Sequence, residues 1–282
     1  MVGRPVSRAL TEINPAQDHC QRWSGRNPSW RHPSDGGFDA RRYTVEPVDE
    51  PTAKAYIVAN HYSGSYPASK YRFGLFDGPR LAGVLVFGIP ASARVLTIPF
   101  PGLDPFVESV ELSRLVLDDT VPANGESWFI ARCFEEAAAR GVRGVVSFAD
   151  PVPRIVAGRI IHPGHVGIIY QATNAQLCGR STARTLTLLP DGQVLNDRAA
   201  QKVRRQDRGH DYVERRLVQL GARPLRSGEV PAAWLSAALA DVGAVQLRHR
   251  GNWRYCFRIG TPAQRRRVHL ALPAVPYPKT ID

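Results

Sequence analysis

Asp150 closes the apolar run Val145–Ala149 and is followed at once by Pro151. A carboxylate at the end of a buried strand can accept a hydrogen bond or take a proton, more so where partial burial raises its pKa. Open α/β sheets also gather ligands at the C-terminal ends of their strands. The plainer reading is an Asp that caps the following turn. His61 and Tyr62 open the Gly/Ser/Pro-rich stretch 63–69. Imidazole serves as base or metal ligand near neutral pH, and the alternative is a loop histidine doing neither. Tyr62, Tyr66 and Tyr170 can each stack on a planar ring, and Tyr170 can donate its hydroxyl to a leaving group. For Tyr170 the alternative is core packing with a satisfied hydroxyl. Arg114 interrupts an otherwise apolar strand, where its charge is costly unless it meets a carboxylate or phosphate. Strand alternation puts Glu111 and Arg114 on opposite faces, so a structural ion pair needs some other acid. Ser127 opens an amphipathic helix, where it can N-cap and where backbone N–H groups form an anion site. His162 and His165, in HPGH, join His61 and Asp150 as a His/carboxylate set suited to iron or zinc. Two histidines beside Pro and Gly are more often plain loop residues, so a metal is left open.

Charge names the class of partner. Lys and Arg number 37 against 25 Asp and Glu, a formal net charge of +12. Such an excess favours a polyanion such as nucleic acid, contacted through phosphates with steep salt dependence and little sequence information. The candidates are Lys70 and Arg72 after the His61 loop, Arg184 after the Tyr170 segment, and Lys202, Arg204 and Arg205 on a basic helix. Solvated helix faces explain isolated charges but not the total.

These groups need a scaffold, and the chain reads as α/β from residue 41 onward. Residues 43–48 are strand-like, 50–62 helical with Pro51 at the start, and 69–88 a hairpin turning at Asp77-Gly78. A third strand covers 109–117, a loop 118–127 leads into a helix ending at Gly141, and a buried strand covers 142–151. Residues 164–179 read as a loop and a short helix closed by Gly179, 196–221 as basic helices broken near Gly209, 230–243 as a helix, and 252–260 as a strand returning to the main sheet. The expected organisation is a poorly ordered basic arm over 1–40, a catalytic core over 41–190 and a basic helical extension over 191–282. Trp23, Trp30 and Phe38 suggest that part of the arm docks. No apolar run reaches the roughly 20 residues of a membrane span. Four dispersed cysteines and an N-terminal stretch without an apolar core point to reduced thiols and a cytoplasmic protein.

A hairpin, a further strand, a loop into a helix and a buried strand ending in a polar residue resemble the core of GNAT acetyltransferases. Within that superfamily the chain resembles the Mom family of phage DNA-modification proteins. The segments that carry the resemblance are NHYSGSYPASKYRFGLF (60–76), ELSRLVLDD (111–119), NGESWFIARCFEEA (124–137), VVSFADP (145–151), GHVGIIYQATN (164–174) and NWRYCFRIG (252–260). The resemblance implies a mixed, mostly antiparallel central sheet flanked by helices. It also implies an enzyme that places a carbamoylmethyl (acetamido) group on the exocyclic amine of adenine in duplex DNA, hiding phage DNA from host restriction. Matched by motif, His61, Tyr62, Arg114, Ser127, Asp150 and Tyr170 are the implied site residues. The base would be flipped from the duplex to expose its amine.

Ser127 corresponds to the pyrophosphate loop of GNAT enzymes, which implies acetyl-CoA or a related two-carbon donor. Ordinary GNAT enzymes have a glutamine or arginine followed by spaced glycines there; this chain has VPANGES (121–127), leaving Asn124, Gly125 and Ser127 as the donors to an anion. Two rivals stand beside this reading: a conventional N-acetyltransferase acting on a protein or small amine, and a DNA-binding protein that keeps the fold without the chemistry. The group donor, the preferred DNA context and the oligomeric state, a homodimer included, are open at this stage. A phage origin and action in the host bacterial cytoplasm are implied by the resemblance alone.

Overall fold

The apolar runs at 69–88 and 109–117 form the middle of a seven-stranded sheet in a computed structural model that describes residues 19–156, 159–279 and 281. In chain order the elements are β1 (Cys20–Ser24), β2 (Asn27–Arg31), β3 (Tyr43–Pro47), α1 (Glu50–Asn60), β4 (Ser69–Asp77), β5 (Arg80–Gly88), α2 (Arg94–Thr97), β6 (Ser109–Leu117), α3 (Gly125–Ala139) and β7 (Gly144–Ala149). There follow β8 (Arg154–Val156), β9 (Arg159–His162), α4 (Ile168–Ala172), β10 (Gln176–Arg180), β11 (Arg184–Leu188), β12 (Val194–Leu195), α5 (Asp197–Arg205), α6 (Asp211–Gln219), α7 (Pro231–Asp241), β13 (Val245–His249), β14 (Trp253–Arg258) and α8 (Pro262–Arg267).

The chain divides into two units: residues 1–153, 162–181 and 252–282, and residues 154–161 with 182–251. In the first, the sheet order is β10-β14-β7-β6-β5-β4-β3. Every neighbouring pair is antiparallel except β6 and β7, which run parallel on either side of the α3 crossover. This is the mixed, mostly antiparallel sheet flanked by helices that the sequence implies. β5 reads as a continuous apolar run because both its faces are covered. Leu85 and Phe87 pack with Phe73, Phe129 and Ile130, while Val84 and Val86 pack with Ala53 and Ile57 of α1. Each such buried side chain contributes about 1.5–3 kcal/mol.

The β4–β5 register pairs Asp77 with Arg80, so the turn residues are Gly78 and Pro79, one place later than the sequence suggests. Gly78 takes a positive φ of 58°, which a two-residue hairpin requires. In β6, Val86 faces Arg114 and Phe87 faces Leu112, leaving Ser113 as an inserted residue. That bulge breaks the alternation and with it the argument that parted Glu111 from Arg114.

The second unit has its own core, in which Val203, Val213, Leu217, Trp234 and Leu235 are buried beside the small sheet β12-β11-β13. The basic extension expected over 191–282 therefore differs from the structure. The helical unit takes in 182–251, and β14 returns as expected to the main sheet, between β7 and β10. Gly179 closes no helix: α4 ends at Thr173, and Gly179 lies in β10, where the register to β14 shifts. The expected arm differs as well. Residues 1–18 lie outside the described residues, but 20–31 form a hairpin and 33–42 two short 3-10 turns. Two arginines of the arm expected to be solvated are engaged there: Arg22 with Glu126 and Arg31 with Asp119. Among the described residues no helix is long and apolar enough to cross a membrane.

Candidate active site

α1 ends where His61 leaves helical geometry, with its N–H on the Ile57 carbonyl. The ring turns back onto the next residues: the Ser63 N–H donates to Nδ1 at 3.1 Å, and the Ser63 hydroxyl lies 2.9 Å from the same atom. A backbone N–H can only donate, so Nδ1 is the acceptor and the neutral ring carries its proton on Nε2. His61 is buried. Burial first, then the charges of Arg114, His162 and His165, hold its pKa well below 6.5. The sequence offers His61 as a base; the structure makes it a neutral ring with Nε2–H to donate.

Tyr62 is the hub of the cluster. Its ring lies 4.2 Å from that of His61, 4.4 Å from His162 and 4.8 Å from Trp23, centroid to centroid. His162 in turn reaches Asp150, its Nε2 3.2 Å from the Asp150 carbonyl oxygen and 3.9 Å from Oδ2. His61 and Asp150, 89 positions apart in sequence, thus belong to one cluster joined through Tyr62 and His162. Asp150 also keeps its plainer role, because Oδ1 accepts the Val152 N–H at 3.1 Å.

Arg114 borders the cluster. Its guanidinium donates to the Ser65 carbonyl at 3.3 Å, the Ser65 hydroxyl at 3.2 Å and the Ser113 carbonyl at 2.7 Å. No ion pair with a carboxylate is seen among the described residues, so the structural ion pair weighed for it is absent there. Its charge acts on Glu111 instead. Burial raises the Glu111 carboxyl, and Ser113 and Arg114 pull it partly back. Glu111 is a titratable group that strand alternation hid. Tyr170 is buried between Tyr255 and Phe257, and burial pushes its phenol up to about 12 against a hydrogen bond with Ser147. It is chiefly a core residue whose edge reaches the site.

A cavity of about 100 Å³ opens among these groups, with His61, Tyr62, Arg114, His165 and Tyr170 on one side. Its other wall comes from the N-terminal hairpin, through His19, Gln21, Trp23 and Trp30. Trp23 and Trp30 signal in the sequence that part of the arm docks, and the structure shows that what they dock onto is this cavity.

Asn124, Gly125 and Ser127 lie apart from this cluster, at the start of α3. The helix begins two residues earlier than expected, so Asn124 is the N-cap, in the left-handed region at φ 75°, and Ser127 caps nothing. The Ser127 hydroxyl donates back to the Asn124 carbonyl at 3.1 Å. The loop is filled by the chain itself. Arg22 donates to Glu126 Oε1 at 2.6 Å, to the Pro122 carbonyl at 3.0 Å and to the Val121 carbonyl. Asn124 Nδ2 donates to the Pro33 carbonyl, and the Gly125 N–H goes to the Pro122 carbonyl. A Cβ on Gly125 would meet Val121 at 2.5 Å and Phe38 at 3.3 Å, so this glycine serves close packing. Asn124 and Gly125 are thereby engaged within the chain, while Ser127 lines a cavity of about 970 Å³ together with Phe134, Thr173, Asn174, Phe257 and Gly260. For a metal, the rings of His162 and His165 stand edge-on at 5.9 Å, and among the described residues no group of three His, Cys, Asp or Glu could hold one ion.

The basic residues fall in both units. Lys70 lies over Tyr71, and Arg72 is held by the Val48 carbonyl, Ser69 and Glu50. Arg184, Arg204 and Arg205 are exposed and Lys202 half-buried in the second unit. Its neighbouring charges are neutralised in Arg215–Asp211, Arg216–Asp191 and Arg223–Glu229.

The sequence matches the Mom protein family over residues 42–279. This chain belongs to the Mom protein family. The Mom match contains His61, Tyr62, Arg114, Asp150, His162 and Tyr170, whereas the β1–β2 hairpin lies outside it. No curated protein matched the chain. Similar solved structures include a Bacillus subtilis acetyltransferase in complex with CoA, 9% identical, covering 77% of this chain and 99% of that one at a TM-score of 0.34. They also include a GNAT family acetyltransferase from Elizabethkingia anophelis with acetyl-CoA bound, 8% identical, covering 77% and 99% at 0.32. Likenesses this distant say nothing of activity.

The histidine cluster has a signature in stability. Above pH 6.5 both folded and unfolded states hold His61 neutral. Below 6.5 the unfolded chain takes up a proton that the folded one refuses, so stability is lost as pH falls, at about 1.4 kcal/mol per pH unit, until the depressed folded pKa is reached. Urea unfolding between pH 6.5 and 5 should show this slope in the wild type and a shallower one in His61→Gln. Parallel curves would contradict the assignment.

Proposed function

We propose that this Mom family member is a DNA-modification transferase that attaches a carbamoylmethyl group to the exocyclic amine of adenine flipped from duplex DNA, shielding phage DNA from restriction in the host cytoplasm. The observation that carries the proposal is the convergence of His61, Tyr62, His162 and Asp150 beside a cavity bordered by Arg114. The amine of adenine is a weak nucleophile, its lone pair being delocalised into the ring. Catalysis therefore consists of holding it against the electrophile, removing its proton and stabilising the departing charge.

In this reading the amine nitrogen bonds to the methylene carbon of a donor that carries the two-carbon carboxamide on a leaving group. The bond from that carbon to the leaving group breaks, and its electron pair departs with the leaving group. Asp150 takes the amine proton, and Arg114 stabilises the departing negative charge. No step is assigned to coenzyme A or to a metal.

The test is nucleoside mass spectrometry on DNA from cells expressing the chain. Deoxyadenosine heavier by one carbamoylmethyl group is the expected result, and DNA bound but chemically unchanged would refute the proposal. Phosphate contact has its own test. Changing Lys202, Arg204 and Arg205 together to Gln should weaken binding to all duplexes alike and flatten the slope of log affinity against log salt by about three. An unchanged slope would remove those side chains from the interface.

A further inference from the structure

The β1–β2 hairpin has two working faces. One carries Arg22, Ser29 and Arg31, which bond to Glu126 and Asp119 and fasten the hairpin to the β6–α3 connection. The other carries Gln21 and Trp23 with the cross-strand residue Trp30, and all three line the cavity beside His61 and Tyr62. Gln21 and Trp30 are directly paired in the hairpin register. Gln21 Nε2 and Trp30 Nε1 are buried donors without a hydrogen-bond partner among the described residues. Native proteins rarely leave buried donors unmet, and two on facing residues in the wall of one cavity point to an acceptor that arrives with a ligand.

Size and chemistry say which acceptor. At about 100 Å³ the cavity is smaller than an apolar cavity of about 150 Å³ that holds benzene, so it takes a few heavy atoms and not a whole purine. Two N–H donors beside the Arg114 guanidinium suit an acceptor oxygen of the carbonyl or carboxylate kind. We infer that Gln21 and Trp30 bind the carbonyl oxygen of the two-carbon group to be transferred, so that the hairpin, outside the Mom match, selects what the site accepts. The inference rests on the proposed function for the identity of that group. The binding chemistry is shared by a carboxamide and a carboxylate.

The test uses the full-length, nitrogen-15-labelled protein. The Trp30 indole N–H resonance is identified by its loss in Trp30→Phe, and acetamide and acetate are the probes. Acetamide should move that resonance downfield saturably, and Gln21→Leu should weaken the response about tenfold, as expected for one lost hydrogen bond. A larger response to acetate would make the recognised group a carboxylate. A Trp30 resonance that answers neither probe overturns the inference. Trp30→Phe keeps an aromatic ring and removes the donor, so the adduct per adenine should fall at least about tenfold with duplex affinity unchanged. Full adduct yield in that variant would also overturn it. If the indole responds to acetamide while wild-type protein leaves DNA unmodified, the proposed reaction fails and the carbonyl site stands.

Discussion

Asp150→Asn should lower the carbamoylmethyl adduct by roughly 10²–10⁴-fold, the usual worth of a general base, while leaving duplex affinity unchanged. The amide keeps the size of the carboxylate and can still accept the Val152 N–H, so the turn after β7 survives and folding is not the cause of the loss. What disappears is the acceptor for the amine proton. Quantitation of modified deoxyadenosine against an isotopic standard, with affinity measured in parallel, separates the two effects. Wild-type adduct levels in Asp150→Asn would leave the carboxylate as a turn cap and nothing more.

Arg22→Met should cost about 3–5 kcal/mol of stability, because it strands the Glu126 carboxylate in a buried place. Arg22 and Glu126 expose only 1% and 4% of their side chains, and Glu126 Oε2 already lacks a partner among the described residues. Methionine fills much of the volume but donates nothing to Glu126 or to the carbonyls of Val121 and Pro122. The double variant Arg22→Met/Glu126→Leu removes both charges and should recover most of the loss, since well-packed apolar replacements of buried pairs are often neutral or better. Urea unfolding of the two variants gives the answer. A single variant that loses less than about 1 kcal/mol would show the pair to be solvated. The same substitution loosens the hairpin that brings Gln21, Trp23 and Trp30 to the cavity, so adduct yield should fall with stability.

Much of the sheet is legible in the sequence because its signals are local. The β4–β5 hairpin, β6, β7 and α3 announce themselves by alternation, buried runs and the Gly at the end of α3. The β1–β2 hairpin does not. Its strands are five residues each, Pro28 sits inside one, and the turn at Gly25-Arg26 is disguised by the surrounding arginines. The Glu111–Arg114 relation is hidden by one inserted residue, since alternation cannot be counted through the Ser113 bulge. His61 and Asp150 can be named as candidates from residue type and position. The sequence also groups His162 with them, as a possible metal set; what it does not show is that the link is made by ring contacts through Tyr62 rather than by shared ligation. The start of α3 shows the opposite failure. A helix N-terminus reads as an anion site in sequence, whereas Asn124 and Gly125 there are engaged by the Pro33 and Pro122 carbonyls and Glu126 by a distant arginine.

His61→Gln and Asp150→Asn, made singly and together, ask whether the two residues serve one site. Groups that act as a unit in catalysis lose their effects non-additively. Adduct yield in the double variant should therefore equal that of the more damaged single variant. A double variant whose deficit is the product of the two single deficits would mean that the imidazole and the carboxylate act independently, against the convergence on which the account stands.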